Sequence, residues 1–179
     1  RKTAGLEHSL LTSSEKVLEQ MPSRFTLEHK EGFAVGWAFD KEPPAGEKQQ
    51  VSQLTVPFSK YKTGHFTYDS AQNRYLIEQH IDGADEPYVD GRTGEAVAVS
   101  NVLVLFTDVG VIKGDDKGRM EVRTTGTGDG LLLRDGVLYE ITWQRDKRTD
   151  RYSFLDRAGK DIPLNVGPSY INNVTTKAD

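Results

Sequence analysis

After residue 50 the apolar positions recur at every second residue in short runs, and clusters of turn formers separate the runs. VSQLTVPF, GHFTYD, RYLIEQ, NVLVLF, RMEVRT, LLLRDGVLYEITW, RYSFLD and PSYINNV read as strands, as does FAVGWAF upstream. The breaks at KEPPAGEK, DSAQN, DGRTG, GDDKG, RDG and RAGK carry the Gly, Pro, Asn and Asp that turns require. Strands at this spacing without helices between them pair antiparallel. One segment, TSSEKVLEQMP, has a helical period. Thr12 and Glu15 form a capping box, Leu10 and Leu11 staple the start, Val17, Leu18 and Met21 make an apolar stripe, and Pro22 ends it. That stripe is expected to cover a sheet. The pattern predicts a mainly β (α+β) fold, an antiparallel sheet or a sandwich or barrel-like domain with one N-terminal helix. Lys41–Gln49 reads as a linker, which divides the chain into a helix-and-strand unit over 1–45 and an antiparallel β domain over 50–179.

The strongest local signal is Asp135-Gly136 between two alternating runs, because a two-residue type I′ turn needs positive φ at both positions. With that turn as the loop, Leu132 faces Tyr139, Gly130 faces Ile141, Gly128 faces Trp143 and Asp129 faces Thr142. The glycines of TGTGDG then lie under the largest side chains of the opposite strand, which is a packing device. A phosphate cradle would need the glycines to open a helix, whose N-terminal amides hold the anion, and here they open a strand.

Charge and composition narrow the function classes. The 179 residues carry 27 acids and 23 Lys or Arg, a net charge of -4 with both signs interspersed, so no basic field exists for nucleic acid or an anionic membrane. No run approaches the roughly 20 apolar residues that span a bilayer. The chain contains no cysteine, which excludes disulfides, thiolate nucleophiles and cysteine metal sites. It begins at Arg1 without a signal-peptide pattern, which is expected of a processed or truncated piece whose leader or anchor would lie upstream.

Candidate chemistry is sparse. His8, His29, His65 and His80 show no metal-ligand spacing, and the acids Asp82, Asp85, Glu86, Asp90 and Glu95 match no calcium loop, so no metal or cofactor is expected. Asp115 and Asp116 read as turn acids, and Asn173-Val174-Thr175 fits a glycosylation sequon. No nucleophile elbow or SxxK motif is present, and no catalytic residue is assigned. Arg119 and Arg123 alternate in RMEVR and share a strand face, shortly before Gly126, Gly128 and Asp129. If the two strands are neighbours, these residues together with Trp143 make a site for an anionic or polar ligand.

Taken in order, Asn101-Val102, Gly118-Arg119, Gly126 to Gly128, Asp135-Gly136, Trp143, Gly159-Lys160-Asp161-Ile162 and Gly167 resemble the C-terminal domain of the YerB-like family of bacterial lipoproteins, a family of unknown function. The likeness covers Phe58 to Val174, and HSLLTSSEKVLEQ is similar to the end of the family's preceding domain. Thr127 replaces a usual Ser, Tyr170 a common Trp, and Ile77 an expected Arg. The resemblance implies an extracytoplasmic protein, membrane-anchored at full length by an upstream lipid, and it implies no reaction. The expected function is a monomeric binding or scaffolding module of the bacterial cell envelope, with a glycan, a peptide or another envelope protein as partner. The alternative is an envelope hydrolase or transferase acting on glycan or peptide.

Overall fold

Asp135 and Gly136 have φ of 55° and 71°, and the strands on either side pair without slip. In this computed structural model residues 12–23, 26, 28, 37–45, 49–59 and 61–175 are described. The chain divides into two units, Arg1–Val35 and Gly36–Asp179. The residues from Trp37 to Ala45 therefore go with the β unit, ahead of the break expected from the Pro and Gly of Lys41–Gln49.

In the first unit, α1 spans Ser14–Gln20 and passes into a 3-10 turn at Met21–Ser23. Its cap is Ser13, whose hydroxyl accepts from the Lys16 amide at 3.4 Å, so the helix starts one residue later than a Thr12–Glu15 box would set it. Val17 and Leu18 are exposed. Leu10 and Leu11 lie outside the described residues.

In the second unit, β1 (Gln49–Gln50), β7 (Asn101–Thr107), β10 (Gly126–Arg134), β11 (Val137–Arg145), β12 (Ser153–Leu155) and β13 (Ser169–Thr175) form a six-stranded sheet. Its order is β1-β11-β10-β7-β13, and β12 also pairs with β11. A second sheet holds β2 (Gln53–Ser59), β3 (Lys62–Asp69), β4 (Arg74–Ile81) and β5 (Ala84–Pro87) in that order, with β6 (Ala98–Val99) on β4. β8 (Val109–Val111) and β9 (Met120–Val122) form a separate two-stranded ribbon.

The central sheet buries both faces. Val102, Val104 and Leu133 meet Val56, Phe66, Tyr75 and Ile77 of the second sheet. On the other face Leu103, Leu105, Leu132, Tyr139, Ile141, Trp143 and Phe154 are covered by Ile162, Leu164 and Trp37. The fold is mainly β as the sequence predicts, and among the described residues all strand pairs are antiparallel except one. β13 runs parallel to β7, with Ser169 beside Asn101 and Thr175 beside Thr107. After β12 the chain crosses a face of the sheet through the buried Ile162 and Leu164 to the far edge, where β13 enters antiparallel to β12 and therefore in the direction of β7. Of the predicted strand FAVGWAF, residues 33–36 lie outside the described residues, and Phe39 forms a bridge with Leu164.

A buried charge stands at the hairpin tip. Arg134 has no solvent exposure, and its Nε donates to Asp135 Oδ2 at 2.7 Å, its Nη1 to the Pro163 carbonyl at 3.0 Å, and its Nη2 to the carbonyls of Asp40, Lys41 and Glu42 at 2.9, 3.3 and 3.2 Å. Asp135 Oδ1 accepts from Asn73 at 2.9 Å and Asn165 at 2.7 Å. The Tyr75 hydroxyl accepts from the Gly136 amide at 3.0 Å, and burial pushes its ionisation upward.

The glycines follow the packing reading. A Cβ on Gly128 would lie 2.7 Å from both the Phe106 carbonyl oxygen and Trp143 Nε1, and that indole donates to the same carbonyl at 2.9 Å. Neither neighbour is the free end of a flexible chain. Gly128→Val is therefore expected to lower stability by on the order of 1–3 kcal/mol, the usual cost of overpacking. Urea unfolding measures it, and a midpoint unchanged from wild type would remove the packing role.

Candidate functional site

An open cleft of about 430 Å³ is lined by Asp108, Val109, Gly110 and Val111 on one side and by Glu121 to Thr125 on the other, with Arg148 completing it. The β8–β9 ribbon forms much of this lining because Val109 pairs with Val122 and Gly110 with Glu121, which brings the two stretches together. Arg123 is held in place from several sides. Its amide donates to the Asp108 carbonyl at 2.9 Å, its Nε to Asp108 Oδ2 at 2.8 Å and its Nη1 to the Thr125 carbonyl at 2.8 Å. Its guanidinium carbon lies 5.3 Å from the centre of the Trp143 ring. Gly126 leaves the room this needs, since a Cβ there would come within 2.6 Å of Arg123 Nη1. Trp143 is buried and meets the cleft only through Arg123.

Arg148 comes from the loop between β11 and β12. Among the described residues its guanidinium has neither an ion pair nor a hydrogen bond, although its carbonyl accepts from Arg145. The cleft thus sets one immobilised guanidinium near one that is uncommitted. Arg fits carboxylate and phosphate groups through paired N–H donors, so an uncommitted Arg beside a fixed one can take up an anionic or strongly polar group.

The sequence-predicted residues divide among three places. Arg123, Gly126, Gly128 and Trp143 come together at this cleft or in the wall behind it. Arg119 stays in the turn between β8 and β9, donating to Asp115 Oδ2 at 2.8 Å. Asp129 projects from the opposite face of β10 into a depression of about 320 Å³ with Phe106, Leu131, Thr142 and Arg157. The reason is pairing: β9 joins β8 rather than β10, so Arg119 is carried away from the hairpin, and alternation turns Asp129 away from Gly128. Sequence reasoning missed Arg148, because a charged residue in a polar loop gives no pattern.

The acids of the loops have local partners. Asp90 is held below the usual carboxylate range by the Thr93 and Arg92 amides, and Asp115 by the Lys117 amide first and then that of Arg119. Asp69 is lowered by the Ala71 amide and the Gln72 side chain. His65 and His80 lie on the outer face of the second sheet on either side of Asp85, with His80 Nδ1 at 2.7 Å and His65 Nε2 at 3.7 Å from Asp85 Oδ1. His8 and His29 fall outside the described residues. Among the described residues no group of three or more His, Asp and Glu is placed to hold a metal ion.

The Asp108–Arg123 pair is more than a third exposed on both sides, so its energetic weight is small. Arg123→Met should keep the fold, with stability changed by no more than about 1 kcal/mol, while Trp143 fluorescence shifts as the cation leaves the ring. A cooperative loss of structure on this substitution would show that Arg123 serves the fold rather than the cleft.

Comparison with known proteins gives three findings. "Putative lipoprotein YerB" of Bacillus subtilis (strain 168) is 27% identical over 142 residues, which cover 71% of this chain and 41% of that protein. A solved structure described as the crystal structure of YerB protein from Bacillus subtilis superposes with a TM-score of 0.65 at 22% identity, over 89% of this chain and 49% of the other. The chain thus spans less than half the length of these relatives, and the superposition shows a shared fold. No helix among the described residues is long and apolar enough to cross a membrane. Residues 54–171, well over half of the sequence, match a family profile, and the chain belongs to that family, described as "Protein of unknown function (DUF3048) C-terminal domain".

Proposed function

We propose that the chain is an extracytoplasmic binding or scaffolding module of a lipid-anchored bacterial envelope protein, and that the cleft holding Arg123 and Arg148 takes a polar or anionic ligand such as a glycan or a peptide terminus. The observation that carries this reading is the uncommitted Arg148 guanidinium set across an open cleft from the fixed Arg123. The envelope location is supported by the name of the Bacillus relative, which describes a lipoprotein. Arg123 supplies a rigid donor that loses little side-chain freedom on binding, and Arg148 supplies one that closes on the ligand. Glu121 and Asp108 on the same walls favour a ligand that also has donors, as sugars and peptides do.

The test is a binding screen of envelope glycan fragments and short peptides against the wild type, Arg148→Ala and Arg119→Ala. A charge-assisted hydrogen bond is worth roughly 1.5–3 kcal/mol, so Arg148→Ala is expected to weaken a true ligand by about one to two orders of magnitude. Arg119→Ala should bind as the wild type does, since that residue is engaged with Asp115 in its own turn. No ligand in the screen, or equal loss from both variants, would contradict the assignment.

A further inference from the structure

Asp129 is the acid that the Arg123 cleft leaves out, and strand pairing sets it in the middle of a sheet face. Thr142 stands opposite it on β11, with Leu155 beyond on β12. On the other side the register of Gly130 with Leu105 brings Phe106 next to it, with Val174 beyond on β13. One pair further along the hairpin, Leu131 faces Glu140. The second sheet packs on this face at Val102, Val104 and Leu133, whereas Phe106, Leu131 and Thr142 farther along are only half-buried. Their remaining surface forms the depression of about 320 Å³ into which Asp129 projects.

Asp129 differs from the other acids in its situation. Asp40, Asp69, Asp90, Asp115 and Asp156 each accept a backbone amide two residues on, which is the work of an acid in a turn. Asp129 lies inside β10, where no such local bond is available and where aspartate is disfavoured. Among the described residues its carboxylate has neither an ion pair nor a hydrogen bond. Glu140, the other acid of the lining, is engaged with the Arg157 guanidinium. The depression thus holds two carboxylates and one guanidinium, an excess of one negative charge that falls to Asp129.

We infer that this depression binds a primary ammonium group carried on an alkyl chain, as at the end of a lysine side chain. The ammonium lies between the Asp129 carboxylate and the Thr142 hydroxyl, and the alkyl chain lies over Phe106 and Leu131. Counted from the two-residue turn, Asp129 and Thr142 are a non-hydrogen-bonded pair, the kind whose side chains stand closest, so one group can reach both. An ammonium carries three donors on one atom and can be shared between a carboxylate and a neighbouring hydroxyl. Phe106 adds attraction for a cation near its ring, and with Leu131 it offers apolar surface to the methylenes. A carboxylate or phosphate ligand would meet the uncommitted acid and be repelled. The depression shares no lining residue with the Arg123–Arg148 cleft and takes the opposite charge, so the two sites stand or fall separately.

The test is a nuclear magnetic resonance titration of the whole nitrogen-15-labelled chain with N-acetyl-lysine amide. Saturable shifts are expected at the amides of Gly130, Leu131 and Thr142, with none at Gly110 in the Arg123 cleft. N-acetyl-norleucine amide, which lacks only the ammonium, should give no saturable shift. Alanine amide, which has a terminal ammonium without the alkyl chain, should bind more weakly than the lysine derivative. These comparisons use the wild-type chain and do not depend on a variant folding. Asp129→Asn keeps the shape and removes the charge, and it is expected to weaken binding by about tenfold or more. Asp116→Asn, an exposed acid paired with Lys117 in the β8–β9 turn, should bind as the wild type does. The inference is overturned if the lysine derivative gives no saturable shift or shifts only residues elsewhere. It is equally overturned if the norleucine derivative or alanine amide binds as well, or if Asp129→Asn retains the wild-type affinity.

Discussion

The β unit depends on a guanidinium with no access to water. Arg134 leaves the last position of β10 and binds its own turn at Asp135 together with two parts of the chain that are remote in sequence, the segment at Asp40 to Glu42 and the crossing segment at Pro163. Burying a charge is costly unless every donor is matched and an opposite charge is close. Here Asp135 supplies the charge and backbone carbonyls supply the remaining acceptors, with Asn73 and Asn165 completing the carboxylate. Lysine could not do this, because its single ammonium cannot present donors in the planar fork that these separate directions require.

That knot explains why the central sheet can be covered on both faces. The segments at Trp37–Asp40 and Ile162–Leu164 lie over the face that the second sheet leaves bare, and Leu164 joins them through hydrogen bonds with Ala38 and Asp40 of 2.9 Å each. Short stretches with so little regular pairing need an anchor, and Arg134 holds both by their carbonyls. Asn101 extends the anchoring to the far strands: its Oδ1 accepts from the Asn165 amide at 2.7 Å and its Nδ2 donates to the Asn165 carbonyl at 2.9 Å and to Ser169 at 3.1 Å. The start of the parallel strand β13 is set by that contact. The Arg123 cleft lies where these straps do not reach.

Much of the central hairpin was legible, because Asp135-Gly136 fixes a turn type and the turn type fixes every partner down to Gly128 and Trp143. The helix was legible in place but not in its cap, since Thr12 and Ser13 are both capping residues and only geometry chooses between them. The parallel pairing of β13 was not legible: nothing in PSYINNV records which side of β7 it joins. Of the proposed site residues, the sequence pattern shows which share a strand but not which strands are neighbours. RMEVR looks like one strand beside the hairpin, which groups Arg119 with Arg123 and the glycines, but its Met120–Val122 pairs with Val109–Val111 and leaves Arg119 in the turn. Arg134 gave no signal at all, since a charged residue next to a turn looks solvated and its partners lie up to 94 residues away.

The central claim is that a buried guanidinium holds the covering segments on the sheet. Its most direct test is urea unfolding of Arg134→Met against the wild type, followed by far-ultraviolet circular dichroism. Met preserves most of the side-chain volume and strands Asp135 and the carbonyls of Asp40 and Pro163, so the loss expected is about 3–5 kcal/mol, as for a buried pair with one partner removed. A loss below about 1 kcal/mol, the range of exposed ion pairs, would contradict the account.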